Sequence, residues 1–185
     1  MKGYHLPRKA IALSVVLFAG ATVAGYLVAP WLRMAGIERS LEEAFGPLIE
    51  LSPALLFFAI FLNNAIKALL VIMLGTAFGV IPLLFTVTNG VVLGFAIQLA
   101  GSASLVTAAL LPHGVIEIPA VLLSAGLGFS LGATAWRKVT RRDVNMSHEL
   151  LGAVKTYILI IGPALLVASA IETFVTPLVV HIVSG

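Results

Sequence analysis

The 185-residue sequence contains no cysteine, which removes disulfides, thiolate metal ligands and a cysteine nucleophile from consideration. It is also poor in charge. Eleven Lys+Arg and eight Asp+Glu make up 10% of the residues, against about 25% in a soluble domain. So few ionic groups cannot coat a globule of this size with hydrated surface. The zinc-hydrolase pattern His-Glu-x-x-His does not occur. Nor does a basic stripe with interleaved aromatics, so nucleic acid is not an expected partner.

What the sequence has is hydrophobic length. Apolar residues make up 60% of the chain, and the mean hydropathy is +1.11. Residues 68–116 carry no formal charge, a stretch far longer than the roughly 20 residues one helix needs to cross the hydrocarbon core. The expected fold is an all-α integral membrane protein, a single transmembrane domain of about five helices with the lipid bilayer as its main solvent. The spans fall at about 10–30, 53–74, 83–100, 115–135 and 156–176.

The first span follows Lys2, Arg8 and Lys9. Its apolar run of about 20 residues exceeds the roughly 7–15 of a secretory signal and reads as an uncleaved anchor, although Thr22 and Ala24 offer a small-residue cleavage pattern. The segment from Trp31 to Ser52 holds Glu38, Glu42, Glu43 and Glu50. Within it, Met34, Ile37, Leu41 and Phe45 recur at helical spacing, which predicts a short amphipathic helix over 34–46, in the membrane interface or packed over the bundle mouth. Residues 101–114 are too apolar for an ordinary loop and too short to cross, so a re-entrant segment is considered there. Trp136 to Lys155 is the one strongly basic loop. With five crossings it shares a side with the basic N-terminus, which the positive-inside rule assigns to the cytoplasm of a cell-membrane protein, leaving the C-terminus outside.

Gly75–Gly79, Gly90–Gly94 and Gly128–Gly132 have the GxxxG spacing that lets helix backbones approach, either within one chain or across a homodimer. Polar residues inside the spans matter more. Lys67, Glu117 and Glu172 each carry a charge whose placement at mid-bilayer costs about 2.5–3.5 kcal/mol on insertion scales. Asn63 and Asn64 share a helical side with Lys67, and Asn89 precedes Gly90 in the third span. For the asparagines the plain reading is an interhelical hydrogen bond; for Lys67, a stem reaching back to the interface. Depth argues against Lys67 pairing with either glutamate, because both fall near the outer ends of their predicted spans. The fourth span opens Pro112-His113-Gly114-Val115-Ile116-Glu117-Ile118-Pro119. His113 and Glu117 are i, i+4, and Pro119 frees the carbonyl of Val115 beside them. With Glu172 they could hold a divalent cation or relay protons; a satisfied hydrogen-bond network is the alternative. His5, His148 and His181 fall in predicted loops and tails and read as solvated.

These polar elements resemble the stage II sporulation protein M family. The resemblance rests on Asn63-Asn64, Asn89-Gly90, Pro112-His113-Gly114 with Glu117, and Ile171-Glu172 followed by Pro177, and it covers nearly the whole chain. It implies a polytopic membrane protein that, in spore formers, works with cell-wall-degrading partners during engulfment. Members also occur in archaea and in bacteria that do not sporulate, and no catalytic residue carries over. Three functions follow: a non-enzymatic scaffold positioning membrane or envelope protein partners, a small-ion or solute transporter or channel, and an intramembrane metal-dependent hydrolase at His113, Glu117 and Glu172.

Overall fold

The computed structural model describes residues 5–37, 39, 43, 51–140 and 143–184, and among them every regular element is helical. Five stretches are long and apolar enough to cross a membrane: Arg8–Met34, Pro53–Thr76, Val80–Ala100, Ala103–Val139 and Met146–Phe174. Large apolar side chains such as Val16, Leu27 and Ile66 are exposed along these helices, as a perimeter solvated by lipid requires.

Helix α1 spans Arg8–Met34 and α2 Pro53–Met73, followed by a 3-10 turn at Leu74–Thr76. Helix α3 spans Val80–Ala100 and α4 Ala103–Val139. Helix α5 spans Met146–Thr156, a π-helical turn Tyr157–Ile161, α6 Gly162–Phe174 and α7 Thr176–Ser184. Their ends have local causes. Pro53 sits in the first turn of α2, where its missing N–H costs nothing. Gly79 (φ 79°) and Gly101 (φ 67°) bracket α3 in the left-handed region that glycine enters without penalty.

Three expectations are corrected. Residues 101–114 are not re-entrant. The Ser102 hydroxyl accepts the Leu105 N–H at 3.2 Å and starts α4, which runs unbroken through Pro112 and Pro119 for 37 residues. At 1.5 Å per residue that is about 55 Å, well beyond a bilayer core. The fifth membrane helix begins at Met146 rather than near 156, because the Asn145 side chain caps it by accepting the His148 N–H at 3.0 Å. The basic stretch 136–155 is therefore largely helical at both ends. Finally, α1 continues through Pro30 and takes Trp31 into the helix. Most of the expected amphipathic helix at 34–46 lies outside the described residues; Arg39 and Glu43, which are described, form an i, i+4 ion pair at 3.0 Å.

Small side chains set the packing. Pro82, Thr86, Gly90 and Gly94 form a buried stripe every fourth residue of α3; Gly90 and Gly94 lie against Phe18, Ala21 and Thr22 of α1. A Cβ on Gly94 would overlap the backbone of Thr22, and one on Gly25 the backbone of Val91. Gly128 and Gly132 of α4 similarly receive Val71, Pro82 and the Phe78–Gly79 backbone. The three GxxxG pairs thus join helices within one chain. Helix α4 is the axis of the bundle, with α1 and α3 on one side. On the other, Ala65, Ala68 and Ile72 of α2 meet Leu127 and Leu131 of α4, together with Ile161 and Leu165.

Candidate functional site

Helices α1 and α3 pack closely along their length, whereas α2 and α3 barely touch. The divergence leaves a groove of about 1110 Å³ between them. Leu56, Ile60, Leu70, Ile81, Leu84 and Val92 contribute apolar walls, and α4 and α6 supply polar groups.

All seven polar residues singled out in the sequence line this groove: Asn63, Asn64 and Lys67 from α2, Asn89 from α3, His113 and Glu117 from α4, and Glu172 from α6. Asn63 and Lys67 are exposed along it, and the other five are half-buried. A smaller adjoining cavity of about 190 Å³ shares Asn89, His113 and Glu117.

The structure brings two of the expected groupings together. Asn64 donates from Nδ2 to Glu117 Oε1 at 3.0 Å, and Asn63 Nδ2 reaches Asn64 Oδ1 at 3.3 Å. One ligand atom each from His113, Glu117 and Glu172 lies within 4.8 Å of the others. Asn89 is placed differently in kind: its Nδ2 donates to the Phe85 carbonyl of its own helix at 2.8 Å. Among the described residues, Lys67 makes no ion pair and the Glu172 carboxylate accepts no hydrogen bond.

The depth argument that separated Lys67 from the glutamates does not hold. Because α4 begins at Ala103, Glu117 is its fifteenth residue and meets Asn64 at the middle of α2. Asn64 and Lys67 are i, i+3 on that helix, so charge of both signs faces one groove.

Two participants were missed. Thr176, buried at the start of α7, lies 3.3 Å from His113 Nδ1, and its hydroxyl also lies 3.3 Å from the Ile171 carbonyl. A hydroxyl donating to that carbonyl accepts from Nδ1–H, which leaves the imidazole lone pair on Nε2. Tyr157 donates its hydroxyl to the Ala65 carbonyl at 2.9 Å and ties the π-helical turn to α2 beside Asn64. The only signal for either was a polar atom in an apolar run. A Gly-x-Ser-x-Gly pattern, expected to be lacking, does occur at Gly128-Phe129-Ser130-Leu131-Gly132, but it lies inside α4 and not on the strand-to-helix elbow that exposes a nucleophile.

A family model described as stage II sporulation protein M matches residues 14–177, a range that contains every groove residue named above. No curated protein and no solved structure matches the chain.

Proposed function

The chain belongs to the stage II sporulation protein M family, and from that premise we propose that its working part is the intramembrane groove, which handles a small ion or solute within the bilayer. What supports this reading is one observation: Lys67, Glu117 and Glu172, the three charged side chains predicted to lie inside the spans, line a single groove together with His113, Asn63, Asn64 and Asn89. Lipid-facing charges are strongly disfavoured, and intramembrane charges as a rule face a water-filled cavity or a pathway. A groove of about 1110 Å³ has room for many waters at roughly 30 Å³ each, enough to hydrate Lys67 and Asn63 along its exposed wall while the half-buried carboxylates are only partly wet. The same proposal sets the N-terminus and the Arg137–Lys138 end of α4 on the cytoplasmic side of the cell membrane, with α7 and the C-terminus outside.

The test is flux in reconstituted vesicles. Protein-dependent movement of a proton, alkali-metal, divalent-metal or small-solute probe is expected, falling at least tenfold in Glu117→Gln. No flux across that panel overturns the reading.

A second reading, a scaffold that positions envelope partners, draws on the family membership and on the close glycine-lined packing of α1, α3 and α4, a rigid frame for docking. Charge reversal at Arg137 and Lys138 would then abolish partner pull-down while Glu117→Gln leaves it intact.

A further inference from the structure

We propose that His113, Glu117 and Glu172 form a binding site for a divalent first-row metal ion, with Asn64 and Thr176 as positioning residues. The proposal deepens the groove reading by naming the class of ion its floor accepts.

Charge balance comes first. Two carboxylates on different helices stand with an imidazole inside 4.8 Å, half-buried at the floor of a membrane groove. Like charges so close raise each other's energy, and low dielectric sharpens the effect. The cation already at the groove, Lys67, pairs with neither. A doubly charged ion between them removes the repulsion and supplies the ligand that Glu172 lacks among the described residues.

The donor set then narrows the ion. One nitrogen and two carboxylate oxygens suit zinc, manganese or ferrous iron, whereas calcium and magnesium favour oxygen alone. Three protein ligands leave at least one position for water or a passing ligand, as in open zinc sites. Atoms bound to one ion at about 2.0–2.2 Å stand no more than about 4.4 Å apart, a spacing close to the 4.8 Å within which the trio lies.

The surrounding bonds fit the same role. Asn64 holds Oε1 of Glu117 and leaves Oε2 for the ion. Thr176 lies 3.3 Å from Nδ1 of His113, and while its hydroxyl donates to the Ile171 carbonyl it favours the tautomer with the lone pair on Nε2. Metal-bound histidines and carboxylates are oriented by such outer partners, whose loss costs about 10–100-fold in affinity.

The experiment uses the full chain in nanodiscs, titrated with Co²⁺ followed by its visible absorption, and with Zn²⁺ and Mg²⁺ as competitors. One equivalent of Co²⁺ with a nitrogen–oxygen spectrum is expected, displaced by Zn²⁺ and not by Mg²⁺. Glu172→Gln should weaken binding more than tenfold, and Asn64→Ala should weaken it with the band shifted. Val16→Ala, on the exposed perimeter away from the groove, should bind as the unmodified chain does. Helix content and thermal unfolding of each variant separate loss of a ligand from loss of fold. His113→Gln, which keeps a polar side chain at the site, serves if Glu172→Gln unfolds. No Co²⁺ retention, or equal retention in folded Glu172→Gln and His113→Gln, overturns the proposal. Metal binding without flux upholds this site and defeats the transport reading; flux lost in Glu117→Gln with no metal bound does the reverse.

Discussion

Asn64 of α2 donates a 3.0 Å hydrogen bond to Glu117 of α4, across 53 positions of sequence, and so closes the floor of the groove from opposite sides. An amide and a carboxylate inside an apolar bundle each lose water, and the bond returns part of that loss. A double-mutant cycle of Asn64→Ala and Glu117→Ala, followed by unfolding in mixed micelles, should give a coupling energy of about 0.6 kcal/mol, rising to about 1.7 kcal/mol at most. Strictly additive effects would show that the two side chains do not act together.

The contact of α1 with α3 depends on missing side chains. A Cβ at Gly94 would strike the backbone of Thr22, which cannot move without displacing α1, whereas a Cβ at Gly20 meets nothing within 4 Å. Gly94→Ala should destabilise the protein by about 1–3 kcal/mol. Gly20→Ala, in α1, should be neutral or stabilise by up to about 1 kcal/mol. Thermal unfolding of the two variants in one detergent checks the contrast.

Lacking native cysteine, the chain permits single-cysteine mapping without background. Cysteines at Asn63, Lys67 or Thr88, which line the groove, should react with a membrane-impermeant maleimide. Cysteine at Val16, on the exposed perimeter and 68% accessible, should not, because lipid rather than water covers it. Equal labelling at all four positions would remove the wet groove.

Tyr157→Phe deletes the hydroxyl that bonds the Ala65 carbonyl at 2.9 Å while keeping the ring. The loss should be about 0.5–1.5 kcal/mol. It should also raise hydrogen exchange at the middle of α2, near Asn64, more than in α3.

Much of this arrangement is readable in the sequence, because few residues can be polar there. Asn63, Asn64 and Lys67 share a helical side by spacing alone, as do His113 and Glu117, and bilayer energetics turn such faces inward. Depth was not readable. Placing the fourth helix at its prolines set Glu117 too close to one end, since Pro112 and Pro119 outweighed the N-cap signal that Ser102 carries. Lys155 likewise masked the start of α5, because a charge near a helix end resembles a loop boundary. Thr176 escaped notice for a different reason: a hydroxyl bonds its own backbone cheaply and so carries no burial penalty to flag it.

The wide turn at Tyr157–Ile161 has a consequence for azimuth. Pro163 lacks the N–H that a regular helix would direct at Leu159, and the chain absorbs the gap by letting Gly162 bond Tyr157 instead. A single wide turn rotates all that follows by roughly a quarter of a revolution relative to an uninterrupted helix. Glu172 owes its bearing toward His113 and Glu117 to that offset. Were the turn to tighten into regular helix, the carboxylate would swing round the cylinder together with the buried Leu165 and Ala168, so one turn sets both the trio and the packed face of α6.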